Sequence, residues 1–164
     1  MYRIVPECHA DTYLVEVLLK KGKPKHQKNI HKVKKTVELL AQEYPALSFA
    51  AVIDHDKNQK DFFESLQEVS NQHDVLHKRR SNIHYFIIKP ALEQFIFNCC
   101  QISNINLQEF QLGNNVTDLR KFFKSPAIEG NHKFKGLINE LVEKKSPGIL
   151  RLQSLLLDII AAPI

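Results

Sequence analysis

The apolar segment at residues 47–53, with the sequence LSFAAVI, constrains the fold more than any other part of the chain. It is rich in residues that favour β-structure and contains only one polar residue. A continuous apolar run of this length is typical of a strand buried on both faces of a parallel sheet. Polar residues begin abruptly at Asp54, so we expect the strand to end there.

Strands and helices alternate around this segment. The pattern predicts a strand at residues 2–6, a helix at residues 11–20, and a second helix that carries Ile30, Val33 and Val37 at helical spacing and ends near Tyr44. The later elements are a helix at 60–70, a strand or loop at 75–80, a strand at 83–88, and helices at 91–100, 117–123, 132–143 and 147–160.

This order predicts an α/β fold with a Rossmann-like, mostly parallel sheet that is flanked by helices and followed by a helical C-terminal tail. A chain of 164 residues suits one domain. No linker marks a second domain, so we expect residues 1–105 to form the α/β core and residues 106–164 a helical extension packed on it.

Composition limits the cellular setting. No apolar segment approaches the roughly 20 residues that a membrane-spanning helix needs, and the N-terminus lacks the pattern of a signal peptide. The three cysteines are odd in number and two are adjacent, so we expect Cys99 and Cys100 to pack in the core rather than form disulfides. These features predict a cytoplasmic protein with no membrane partner.

Acidic residues follow two of the predicted strands. Glu7 follows the first strand, and Asp54 and Asp56 follow the apolar one. Functional groups of parallel sheets collect beyond the carboxyl ends of the strands, so we expect the three carboxylates to converge. Carboxylates held close together repel one another and favour a cation, and oxygen ligands without a thiolate favour Mg²⁺ or Mn²⁺.

Two short motifs carry a resemblance to a known family. Residues 5–11 (VPECHAD) resemble the Glu-Gly-x-x-Asp opening of Toprim domains, and residues 51–56 (AVIDHD) resemble their Asp-x-Asp strand end. Toprim domains occur in topoisomerases, bacterial primases and overcoming-lysogenization-defect nucleases. Small stand-alone Toprim-like proteins are similar also in residues 86–95 (FIIKPALEQF), which match a Pro-Ala-x-Glu helix start. The resemblance covers roughly the first hundred residues.

The resemblance implies a metal-dependent nuclease or nucleotidyl-transfer enzyme that acts on nucleic-acid phosphodiesters. Glu7 would be the general acid or base, or a metal ligand, and Asp54 and Asp56 would hold Mg²⁺ or Mn²⁺. Asp11 and Glu93 are further candidate acids. Each falls in the first turn of a predicted helix, where a carboxylate is also favoured by free backbone N–H groups, so capping and site roles both remain open.

Cys8 stands where the Toprim motif has glycine, and a side chain there could restrict the approach of a phosphate. This departure motivates an alternative: a non-catalytic Toprim-like module that binds nucleic acid or a partner protein such as an ATPase. A phosphoacceptor or phosphatase domain is a third reading. Those domains usually place a nucleophilic aspartate after the first strand, where this chain has Glu7.

Basic residues suggest the partner of the acidic site. Residues 20–35 hold eight lysines, two histidines and no acid, and they lie on the connection between the two acidic strands. We expect these lysines, together with a second basic cluster at residues 77–80, to contact a phosphate backbone, although a solvated helix face would have the same composition. The candidate nucleic-acid contacts are Lys23, Lys25, Lys28, Lys57, Arg79 and Arg80.

Two further patterns concern a zinc site and the C-terminal helix. The eight histidines form no His-Glu-x-x-His motif, and the sequence contains no Cys-x-x-Cys motif. Both observations disfavour a zinc site. Residues 149–160 are apolar around more of their circumference than a surface helix needs. That helix is expected either to seal the core or to make an oligomer contact.

Overall fold

The computed structural model describes residues 2–20, 24, 27–55 and 59–162. Strands and helices alternate in it, so the α/β class is confirmed. The strands are β1 (Ile4–Pro6), β2 (Phe49–Asp54), β3 (Gln67–Gln72), β4 (Val75–Arg80) and β5 (Ile83–Ile88). The helices are α1 (His9–Leu19), α2 (Ile30–Glu43), α3 (Lys60–Glu64), α4 (Leu92–Ile102), α5 (Val116–Phe123), α6 (His132–Glu143) and α7 (Pro147–Ala161).

The five strands form one open sheet in the order β1-β2-β5-β4-β3. β2 lies between β1 and β5 and runs parallel to both, as its apolar sequence predicted. β4 pairs antiparallel with β5, and β3 pairs antiparallel with β4. The sheet is therefore mixed, with its parallel part confined to β1, β2 and β5.

The helix predicted at residues 60–70 is wrong in its second half. α3 ends at Glu64, and residues 67–72 instead form the edge strand β3. A two-residue turn at His73 and Asp74, both at positive φ, joins β3 to β4. This geometry is that of a tight hairpin turn whose twist matches the strands. The polar residues of β3 are therefore held by backbone pairing with β4 rather than by burial of their side chains.

Two apolar layers cover the sheet. Alternate β2 residues point to opposite faces, so Ala50 and Val52 join one layer while Ala51 and Ile53 join the other. The first and larger layer is filled by α1, α4 and the C-terminal helices, and it includes Cys99 and Cys100 as expected. The second is filled by residues of α2 and α3.

The C-terminal helix α7 contributes five apolar side chains to the larger layer. These are Ile149, Leu152, Leu155, Leu156 and Ile159. Leu157 and Ile160 remain 47% and 46% exposed, so the helix seals the core and leaves only a narrow apolar strip outside. Among the described residues, no helix has the length and apolar character required to cross a bilayer.

Candidate functional site

Glu7 and Asp54 lie at the same edge of the sheet. Glu7 follows β1 directly, and its backbone N–H donates to the carbonyl oxygen of Val52 at 3.0 Å. Asp54 is the last residue of β2 and pairs with Ile88, the last residue of β5. The carboxyl ends of β1, β2 and β5 therefore lie at one edge of the sheet, and Glu7 and Asp54 lie at that edge.

The first turn of α1 brings Asp11 to this edge. Cys8 is the N-cap of α1, and the Asp11 backbone N–H donates to its Sγ at 3.5 Å. The Cys8 backbone N–H donates in return to Asp11 Oδ2 at 3.1 Å. This reciprocal pair is a capping box in which a thiol replaces the usual hydroxyl.

Asp11 is more than a cap. Its side chain belongs to a residue that is only 1% exposed, and its second oxygen, Oδ1, is buried without a hydrogen-bond partner among the described residues. A buried carboxylate oxygen without a hydrogen-bond partner destabilises the fold. We therefore expect a ligand to contact this oxygen of Asp11. Oδ2 therefore has the capping role that the sequence left open for Asp11, while the site role stays a prediction.

Asp54 occupies a comparable position at the start of α4. The N-cap of that helix is Ala91, which has no side chain able to accept a hydrogen bond. The Leu92 backbone N–H donates instead to Asp54 Oδ1 at 2.9 Å, so a residue from β2 caps α4. Two helix N-termini, those of α1 and α4, therefore face the acidic cluster and favour negative charge there.

Burial and the other acids at this edge of the sheet raise the pKa values of Asp11 and Asp54. Burial of the carboxyl group, followed by the charges of Asp11, Glu7 and Glu93, raises the pKa of Asp54 above its ordinary value, and the Leu92 N–H acts in the opposite direction. Burial also raises the pKa of Asp11, with added repulsion from Glu7 and Glu93. We define the acidic cluster as Glu7, Asp11, Asp54 and Glu93.

Glu93 connects the cluster to the C-terminal helices. Arg120 on α5 donates from Nε to Glu93 Oε1 at 2.6 Å. The Glu93 side chain is 15% exposed and that of Arg120 is 53% exposed, so the ion pair forms the rim of the cluster. Glu93 therefore has a cationic partner, whereas the buried Oδ1 of Asp11 has none among the described residues.

The glycine-to-cysteine departure is accommodated locally. Cys8 has φ −128° and ψ 177°, an extended conformation that any residue adopts, so the backbone does not require glycine. Its sulfur folds back over the first turn of α1. Cys8 is exposed as a residue, and partial burial of its sulfur together with the charge of Asp11 raises the pKa of the thiol above its ordinary value.

The donor set fits a hard divalent cation. Among the described residues, no three His, Cys, Asp or Glu side chains form a preassembled metal-binding group. Mg²⁺ does not require one, because it binds through one or two carboxylates and keeps several waters. Asp11 and Asp54 each have one oxygen fixed by a backbone N–H at a helix N-terminus, and the second oxygen of Asp11 is buried without a hydrogen-bond partner among the described residues.

Several predicted residues cannot be placed. Asp56, Lys23, Lys25 and Lys57 lie outside the described residues. Lys28 is exposed and follows Gln27, whose N–H donates to Pro6 O at 3.0 Å, so it stands close to the end of β1 beside Glu7.

Arg79 and Arg80 lie away from the acidic cluster. They pair with His84 and Ile83, at the amino end of β5. That position is four to five residues from Ile88, or about 13–17 Å at the usual rise of a strand. Arg80 donates instead to Ser65 Oγ at 2.7 Å. The antiparallel direction of β4, which the sequence did not specify, places both residues at the opposite edge.

Sequence reasoning did not find Arg120 or the pair His9 and Glu129. His9 begins α1 next to Cys8, and its Nδ1 contacts Glu129 Oε1 in the segment before α6. Neither Arg120 nor Glu129 belongs to a motif, and their partners are 27 and 120 residues away in the chain. Both come from the C-terminal extension, which therefore contributes to the surroundings of the cluster.

No protein-family profile, curated protein or solved structure matches this chain.

Proposed function

We propose that the protein is a metal-dependent enzyme of the Toprim-like, nuclease type, which cleaves phosphodiester bonds of nucleic acid with Mg²⁺ or Mn²⁺. The observation that carries this proposal is the buried Oδ1 of Asp11, which has no partner among the described residues. The charges of Glu7 and Glu93 act on Asp11, and the charge of Asp11 acts in turn on Asp54. A cation bound there would relieve both the lost hydrogen bond and the repulsion.

Asp11 and Asp54 would hold the cation, with Asp56, two residues after Asp54 in the sequence, as a further ligand. Their orientation is supported by the N–H groups of Cys8 and Leu92, which fix one oxygen of each carboxylate. A ligand held in this way loses little freedom on binding. When bound, the metal supplies positive charge that polarises a phosphoryl oxygen and lowers the pKa of a coordinated water.

Glu7 is the residue to which we assign proton transfer. It lies on the same sheet edge, and its charge is felt by both Asp11 and Asp54. A carboxylate beside a water or a leaving oxygen can accept or return a proton during displacement at phosphorus. The N-termini of α1 and α4 favour a phosphate group at the same edge.

The test is cleavage of end-labelled DNA and RNA by the purified protein in Mg²⁺ or Mn²⁺. We expect cleavage that EDTA abolishes, and about a 100-fold or greater loss in Asp11→Asn, Asp54→Asn and Asp56→Asn. The matched control is Asp61→Asn, which removes an exposed acid from α3 and is expected to retain wild-type activity.

Metal binding provides an independent readout. We expect Mn²⁺ to raise the melting temperature of the wild type and of Asp61→Asn, but not that of Asp11→Asn. Without metal, Asp11→Asn is expected to be at least as stable as the wild type, because it removes a buried charge and keeps an oxygen for the Cys8 N–H. Wild-type cleavage by Asp11→Asn and Asp54→Asn would contradict the proposal.

The alternative function is a non-catalytic module that binds nucleic acid or a partner such as an ATPase. It is motivated by Cys8, whose sulfur occupies the N-cap of α1 beside the cluster. Binding of nucleic acid that is unaffected by EDTA, with no cleavage of DNA or RNA in either metal, would favour this alternative over the enzyme.

A further inference from the structure

The ion pair between Glu93 and Arg120 uses only part of the arginine. Arg120 donates from Nε, and among the described residues its Nη1 and Nη2 atoms make no hydrogen bond. The side chain is 53% exposed, so these two nitrogens are accessible to solvent. A guanidinium fixed on one side and open on the other presents the planar fork that binds phosphate oxygens in pairs.

Helix α5 aligns a second cation with this fork. Leu119 is buried, and Phe122 and Phe123 pack against the larger apolar layer, which fixes the inner face of the helix. Lys124 follows Arg120 by four residues, and residues at that spacing lie on the same side of a helix. Lys124 is exposed and forms no ion pair among the described residues.

We propose that Arg120 and Lys124 bind the sugar-phosphate backbone of the nucleic acid whose phosphodiester bond lies at the acidic cluster. This inference rests on the proposed function and names the contact surface for its substrate. The ion pair with Glu93 places Arg120 at the rim of the acidic cluster. A nucleic-acid strand that reaches the acids therefore passes the open edge of the guanidinium. Lys124 contacts the next phosphates along α5.

Substrate contact then lies on the side of Arg120, away from Arg79 and Arg80, which occupy the opposite edge of the sheet. The two cations also allow an acidic cluster to accept a polyanion. Positive charge beside the acids offsets their repulsion of the phosphates, and the attraction is strongest where the cation is held in place. Glu93 thus acts as a positioning residue for Arg120.

The experiment measures binding and cleavage separately. Fluorescein-labelled single-stranded and duplex DNA are titrated with the full chain in EDTA, and anisotropy is followed over a series of salt concentrations. We expect Arg120→Ala and Lys124→Ala each to weaken binding and to lower the slope of log affinity against log salt by about 0.7–0.9, the loss for one phosphate contact. Arg120→Lys should restore the slope but only part of the affinity.

The matched control is Lys144→Ala. Lys144 is the C-cap of α6, as Lys124 is the C-cap of α5, and each is exposed. The two differ in that Lys144 Nζ lies 4.0 Å from Glu140 Oε1 on its own helix. A lysine that serves only the helix dipole would behave alike in both positions. Lys124 lacks an ion pair among the described residues, so its removal leaves no charged partner behind. The melting temperature of every variant is measured to check that it folds.

The outcomes separate this inference from the proposed function. If the wild type cleaves DNA in Mg²⁺ while Arg120→Ala and Lys124→Ala bind no worse than Lys144→Ala, the surface is wrong and the enzyme stands. If binding depends on Arg120 and Lys124 but no cleavage occurs, the surface is right and the enzyme is wrong. A wild type that binds neither form of DNA overturns the inference.

Discussion

His77 and His84 face each other across β4 and β5, with His77 Nε2 and His84 Nδ1 only 2.9 Å apart. One ring donates and the other accepts, so the pair is compatible with two neutral imidazoles. Burial, followed by the charges of His84, Arg151 and Arg79, lowers the pKa of His77 to about 4. Burial and Arg79 also lower the pKa of His84. Asp158 of α7 lines the same small cavity.

This pair predicts a loss of stability in acid. A histidine whose pKa is lower in the folded state than its unfolded value of about 6.5 contributes stability that is present above that value and is lost as the pH falls toward the folded pKa. We expect the melting temperature of the wild type to fall more between pH 7 and about 5 than that of His77→Gln. Circular dichroism melts across this range provide the measurement.

The control for the histidine pair is His132→Gln, which changes an exposed histidine at the start of α6. Its melting curve should follow the wild type at every pH. Asp11 and Asp54 have raised pKa values and shift stability in the opposite direction, so only the difference between variant and wild type isolates His77. Identical pH profiles for the wild type and His77→Gln would contradict the prediction.

Single residues also show what sequence can and cannot supply. Glu7 and Asp54 could be placed at one edge because both end strands, and parallel strands share a carboxyl edge. Arg120 could not be found in this way. Its approach to Glu93 depends on how α5 packs on α4, which no local pattern encodes.

Among the elements, α6 and α7 contain two glycines in unlike surroundings. A Cβ at Gly148 would meet Phe95 Cε2 at 2.9 Å, Cys99 Sγ at 3.0 Å and the carbonyl oxygen of His73 at 3.2 Å. A Cβ at Gly136 would meet only Phe110, at an ordinary 3.5 Å. The close approach of α7 to α4 and to the β3–β4 turn therefore depends on Gly148.

The two glycines provide a matched pair of variants. We expect Gly148→Ala to lower the free energy of unfolding by about 1–3 kcal/mol, because the added carbon overpacks its contacts with Phe95, Cys99 and the carbonyl oxygen of His73. Gly136→Ala should instead raise it by about 0.5–1 kcal/mol through the better helix propensity of alanine. Urea unfolding measures both, and a stabilising Gly148→Ala would show that α7 can shift outward without loss.

Elements with an apolar periodicity were predicted well, and β3 was not. The helices at residues 132–143 and 147–160 agree with α6 and α7 within one residue, because each repeats apolar residues on one face. β3 is polar on both faces, with Val69 its only large apolar side chain and 50% exposed. Such a strand is stabilised by its backbone pairing with β4. Its polar sequence alone does not distinguish it from the exposed face of a helix.

For the whole molecule, the larger apolar layer joins residues from both ends of the chain. Phe134, Leu137 and Leu141 of α6 and five residues of α7 are buried with residues of α1 and α4. We therefore expect a fragment of residues 1–105 to expose one face of the sheet and to lack a cooperative unfolding transition. Thermal melts and the dispersion of amide signals in NMR spectra of that fragment measure this directly.

The full chain under the same conditions is the control for the fragment. A sharp transition and dispersed signals from residues 1–105 alone would show that the α/β core folds without the helical extension. That result would also bear on the candidate site, because the fragment retains the acidic cluster but lacks Arg120 and Glu129. For the whole molecule, the sequence predicted the α/β class and the helices that flank the sheet. It did not predict the antiparallel pairing of β3, β4 and β5.

The irregularity in β3 has a consequence for how copies of the chain meet. β3 is the outer strand of the sheet, and its register with β4 shifts between Glu68 and Ser70, which leaves Val69 as an extra residue. An extra residue bends a strand and interrupts its row of outward N–H and C=O groups. A second copy that added a strand to β3 would lose backbone hydrogen bonds at that point, so the bulge disfavours fibre-like association at this edge of the sheet.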